Sequence, residues 1–100
     1  MNFISVGYGN IINTDRVISV SGATSSPAKR LIQEAKDAGR CIDVTQGRRT
    51  KSIIMMDSDH LVLSALRVST VALRLEAAAN GKDLEYVETE DEEADDEEEL

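Results

Sequence analysis

The run DLEYVETEDEEADDEEEL, residues 83–100, holds 12 acids and no base. Like charge at that density, with little apolar content and no periodicity, cannot bury enough surface to offset the entropy of ordering a chain. This segment is therefore expected to be a disordered acidic tail, and any core must come from residues 1–82. The chain has 19 acids and 11 bases, and seven of the acids with all of the bases precede residue 83. The first 82 residues thus carry +4 and the remainder −12, so the overall −8 describes neither part. Charge is read per segment.

A body of 82 residues is one domain, and a chain so short gains from burial against further copies of itself. A single cysteine, Cys41, rules out an internal disulfide and points to a reducing compartment. No stretch approaches the roughly 20 apolar residues of a membrane span, and the beginning of the chain has no secretory pattern. These features lead to the expectation of a cytoplasmic protein with no membrane partner.

Hydrophobic periodicity divides the body. Ile4, Val6 and Tyr8 alternate with Ser5 and Gly7, and "NTDR" separates Ile12 from the β-branched "VISV". That spacing predicts two strands with a hairpin around Asn13–Asp15. Gly7 and Gly9 are too few, and lack the following helix, for a phosphate-cradling loop, so a bulge or close backbone approach is expected there. Ser26 before Pro27 reads as a helix start. Ala28, Leu31, Ile32 and Ala35 then follow helical spacing up to Gly39. "CIDVT" reads as a short strand, and "SIIMM" and "LVLSAL" as a hairpin joined by "DSDH". A last helix over about residues 70–79, capped by Ser69 and closed by Asn80-Gly81, is apolar over more than one stripe. It needs burial on more than one side, which a neighbouring subunit would supply.

Asp57, Asp59 and His60 fall within four positions. A calcium loop wants more oxygen ligands and a glycine bend, and a zinc site wants more His or Cys. Asp and Ser are turn formers, so a tight turn is expected and no metal or other cofactor. Cys41 has no sequence neighbour that would activate it, and reads as a buried structural thiol. Nothing in the pattern calls for an enzyme.

The basic residues are more informative. "GRRTK" places Arg48, Arg49 and Lys51 in a glycine-led loop, and guanidinium forks match phosphate oxygens. Arg16 could join them in space. Lys29 and Arg30, on the polar face of the first helix, are further candidates. A solvated basic loop is the plain alternative, and a charge of +4 is small for a lone nucleic-acid binder. Repetition of that charge in an assembly would change the balance.

Together "GYGNII", "DRVISV", "SSPAKRLIQEAKDAG", "IDVTQGRRTKSIIMMDSDHLVLSAL" and "VALRL" resemble the RemA-type extracellular-matrix regulatory proteins, small bacterial DNA-binding regulators, over about residues 2–75. The resemblance implies a β-rich fold with helices, a ring-like homo-oligomer, and binding of double-stranded DNA to regulate matrix and osmolyte genes. It places essential DNA-contacting arginines at Arg16, Arg48 and Arg49, and a structural proline at Pro27. The long acidic tail departs from the family pattern.

The expectation is thus an α+β domain of five or six strands and two helices in residues 1–82, followed by an acidic tail in 83–100. It would act as an oligomeric, non-enzymatic DNA-binding regulator through Arg16, Arg48, Arg49, Lys51, Lys29 and Arg30. The contrasting reading is a protein-interaction or scaffold module whose active part is the tail.

Overall fold

The computed structural model describes residues 2–81. The acidic segment and the boundary after residue 82 lie outside the described residues. Within them the order is β1 (Phe3–Ser5), β2 (Ile11–Asn13), a 3-10 turn (Thr14–Arg16), β3 (Val17–Gly22), α1 (Ser26–Asp37), β4 (Cys41–Asp43), β5 (Ser52–Met56), β6 (Leu61–Ser64) and α2 (Val68–Ala79). The fold class is α+β, with six strands and two helices, as expected.

Strands β1 and β2 form a two-stranded antiparallel sheet, and the other four lie in the order β3-β5-β6-β4. β5 is antiparallel to both β3 and β6, whereas β4 runs parallel to β6. The parallel pair follows from connectivity, because β4 is separated from β5 by the basic loop rather than by a hairpin turn.

Successive side chains of a strand point to opposite faces, so this sheet buries two apolar sets. Ile53, Leu61 and Leu63 pack with Ala23, Ala28 and Ala35, which puts α1 on one face. Ile54 and Val62 pack with Ile4, Val6, Leu66, Val71 and Ala78, which puts α2 and β1 on the other. The result is three layers with the four-stranded sheet in the middle. Alanines at the buried positions of α1 let its backbone lie close to the sheet, and truncating a fully buried centre such as Ile54 to Ala should cost about 2–5 kcal/mol. Two buried hydroxyls join the layers: Ser52 Oγ donates to Leu66 O (2.8 Å) and Ser64 Oγ donates to Val6 O (2.8 Å) while accepting Leu66 N–H (3.0 Å).

The first hairpin is not where the sequence reading puts it. "GYGN" forms the β1–β2 turn, with positive φ at Gly7 (113°), Tyr8 (55°) and Gly9 (79°). Val6 N–H donates to Asn10 O and Asn10 N–H to Gly7 O, which closes it. "NTDR" is instead a single 3-10 turn that carries the chain from one sheet to the other, so β3 pairs with β5 and not with β2.

Helix α1 is capped one residue earlier than expected, by Ser25, whose Oγ accepts Ala28 N–H (3.1 Å). Its end is as expected, with Gly39 left-handed (φ 73°) just past the cap at Ala38. Helix α2 starts earlier than expected, at Val68, and its cap residue Arg67 makes no side-chain capping bond, so Ser69 lies inside the helix. Asn80 and Gly81 end it as expected. Among the described residues, no helix is long and apolar enough to cross a membrane.

Candidate nucleic-acid interface

The Arg48–Arg49 loop is held by its own first residues. Asp43 Oδ1 accepts both Thr45 N–H (2.9 Å) and Thr45 Oγ1–H (2.7 Å). Those two bonds are the main reason the Asp43 carboxyl titrates below its ordinary range. Gln46 (φ 57°) and Gly47 (φ 81°) follow in left-handed conformations, and Arg48 N–H closes on Thr45 O at 3.0 Å. Two successive positive φ values are the signature of a type I′ turn, which reverses the chain within four residues. Arg48 and Arg49 leave this turn exposed to solvent.

Lys51 corrects the expectation that it shares the exposed loop. Its N–H donates to Ser64 O at 2.9 Å, so the chain has already entered the β5–β6 ladder, and the residue is only 9 % exposed. Lys51 is thus far less accessible to a phosphate backbone than Arg48 and Arg49.

Arg16 sits elsewhere. Its carbonyl accepts Asp57 N–H (2.8 Å) and its Nη1 lies 3.2 Å from Asp57 Oδ2, with 65 % of its side chain exposed. The register fixes the distance from the other arginines. Val17 pairs with Met56 and Gly22 with Ser52, so Arg16 is at one end of β5 and Arg48–Arg49 at the other. About 14 Å of sheet lies between these ends at the usual rise per residue. Within one chain the structure does not bring the three arginines together.

The remaining candidates follow the same division. Lys29 and Arg30 are exposed in the first turn and a half of α1, which begins just after the Gly22 end of β3. They therefore flank the Arg48–Arg49 end, where the positive pole of the helix also lies. Pro27, two residues into α1, is exposed and has the structural place assigned to it. Arg40, not singled out from sequence, lies near the Arg16 end, its Nε donating to Asp59 O at 3.1 Å. Proximity to a β5–β6 turn is a long-range fact that no local spacing reveals.

"DSDH" is that turn. Met56 N–H donates to His60 O and Asp59 N–H to Met56 O, with Asp59 left-handed at φ 70°. Ser58 Oγ and His60 Nδ1 are 2.8 Å apart. No group of His, Cys, Asp and Glu among the described residues is arranged to hold a metal ion. Cys41 is half-buried rather than fully enclosed. Burial pushes its thiol up, only partly opposed by Lys36, and Asp43 adds to the rise. A thiol held in its protonated form is a slow nucleophile.

The domain is thus a small α+β module with basic groups at both ends of a sheet. The pattern defining the RemA-like family, described as extracellular matrix regulatory protein A-like, matches residues 3–75. The Extracellular matrix regulatory protein A of Bacillus subtilis is 51% identical over 75 residues, 75% of this chain and 84% of that one. A candidate regulatory protein of Carboxydothermus hydrogenoformans is 50% identical over 80 residues, 80% of this chain and 92% of its own. One from Acetivibrio thermocellus is 46% identical over 97 residues, 97% of this chain and 100% of its own. The chain belongs to the RemA-like family of regulatory proteins. The last match runs past the family pattern to nearly the full length, so an extension beyond residue 75 is not peculiar to this chain.

Proposed function

We propose that the protein is a double-stranded DNA-binding transcriptional regulator of extracellular-matrix-type genes that works as a homo-oligomer. The observation that carries this reading is the Asp43–Thr45 turn, which presents Arg48 and Arg49 outward on a fixed backbone at the same end of the sheet as the start of α1, with Lys29 and Arg30. Arginines held this way reach phosphate oxygens without first paying the entropy of ordering a loop. Arg16 supplies a second contact at the far end of the sheet.

Few basic groups per chain make a weak site, and repetition around an assembly raises avidity without new contacts. Copies arranged head to tail would set the Arg16 end of one beside the Arg48–Arg49 end of the next, and such heterologous contacts form a ring when the rotation between copies closes. Target choice would rest mainly on DNA shape and bendability.

Titration of a labelled duplex across a salt series tests the reading. Arg48→Ala with Arg49→Ala should weaken binding and lower the slope of log K against log salt by about one unit per lost contact. Unchanged affinity in that double variant would remove the turn from the site.

A further inference from the structure

The turn that presents Arg48 and Arg49 carries one more polar side chain than phosphate binding uses. Thr45 and Arg48 are its ends, joined by Arg48 N–H to Thr45 O at 3.0 Å, and Gln46 and Gly47 form its tip. A Cβ built at Gly47 would meet nothing within 4 Å beyond its chain neighbours, so the tip stands clear of the body. Gln46 is exposed, and its side-chain amide makes no hydrogen bond to another described residue. On one side it borders an open hollow of about 410 Å³, shared with Asn10, Asp43 and Val44. The amide therefore has room to turn, with its oxygen and its N–H groups both facing outward contacts.

Most exposed glutamines are simply hydrated, and two features set this one apart. The first is conformation. At φ 57° the backbone of Gln46 is left-handed, where a residue with a Cβ is disfavoured, and a turn of this type is ordinarily built with Asn, Asp or Gly before the second glycine. A glutamine gives up part of the turn's own stability, and local geometry does not account for its presence. The second is place. Gln46 comes two residues before Arg48, in a turn whose base is clamped by the bonds of Asp43 to Thr45. Whatever the arginines bind is held against the tip of the same rigid turn.

We propose that Gln46 reads an adenine in the major groove while Arg48 and Arg49 hold the phosphates beside it. The ends of a four-residue turn lie within roughly 7 Å of each other, and the major groove is about 12 Å wide, so the tip enters without widening the groove. A glutamine amide meets adenine through two bonds: its oxygen accepts from the N6 amino group, and its Nε2–H donates to N7. Guanine presents an acceptor where adenine presents the amino donor, so one of the two bonds is lost there. Readout by DNA shape thereby gains a direct contact at one base per copy. This inference rests on the DNA-binding reading and names the part of that site which selects sequence.

A duplex library with randomised central positions, retained on the full chain and then sequenced, tests the proposal. The parent protein is expected to enrich adenine at a fixed position, and Gln46→Gly to retain a similar amount of duplex without that enrichment. Glycine takes a positive φ at no steric cost, so the unfolding midpoint of the variant should not fall. Replacing the enriched A·T pair by G·C should weaken binding of the parent roughly 5-fold or more. An adenine analogue with C–H in place of N7 should weaken it too, and neither change should matter to Gln46→Gly. Retention without an enriched adenine, an enrichment that survives in Gln46→Gly, or indifference of the parent to the analogue overturns the role of Gln46 and leaves the phosphate contacts standing. Failure of the parent to retain any duplex is a separate outcome, which removes the DNA-binding reading and this inference with it.

Discussion

Asp43 accepts two hydrogen bonds from Thr45 and so fixes the backbone just ahead of Arg48 and Arg49. Its lowered pKa means that the folded state favours the carboxylate. The stability this provides is present above the unfolded carboxyl pKa and is lost as pH falls through the lowered folded value. Asp43→Ala should therefore be less stable than the parent at neutral pH, by under about 1 kcal/mol because the exposed carboxylate is screened by solvent. The gap should close in acid. Denaturant unfolding at neutral pH and again below the folded pKa checks this, and a gap that persists in acid would mean the loss is not electrostatic. At the residue scale the exposed arginines were legible because a glycine-led basic run is a local signal. The burial of Lys51 was not, since it depends on where the β5–β6 ladder begins, and pairing with Ser64 is invisible from thirteen residues away.

The elements were largely readable where local pattern decides them. Helix α1 and the β5–β6 hairpin follow periodicity and turn chemistry, and both stand where expected within a residue or two. The β1–β2 turn was missed because Ile4, Val6 and Tyr8 continue a strand-like alternation into it, while three successive positive φ values leave no mark that alternation can reveal. The partner of β3 was missed because it is thirty or more residues away in sequence. Two substitutions separate near neighbours. Ser25→Ala should cost about 1 kcal/mol, read as a fall in the unfolding midpoint, and Ser26→Ala much less, because the capping bond comes from Ser25. On α2, Leu75 packs against the core while Leu73 is 65 % exposed. Leu75→Glu should destabilise the monomer fold. Leu73→Glu should leave the fold intact and reduce the mass seen by light scattering, if that face meets a neighbour in the proposed assembly.

At the scale of the whole molecule, the sheet separates two sets of arginines that the sequence reading allowed to converge. Within a family of regulators this changes what loss-of-function variants mean. If DNA contacts Arg16 of one copy and Arg48–Arg49 of the next, neither group belongs to a single polypeptide's site. Chains carrying Arg16→Ala and chains carrying Arg48→Ala with Arg49→Ala are each defective alone. Co-assembled, they restore a fraction of junctions in which both intact ends meet, so duplex retention should rise above that of either variant. A site contained within one chain would show no such recovery. In a cell with both alleles, the two defects would then complement each other, and genetic dominance would report the geometry of a junction that no single polypeptide contains.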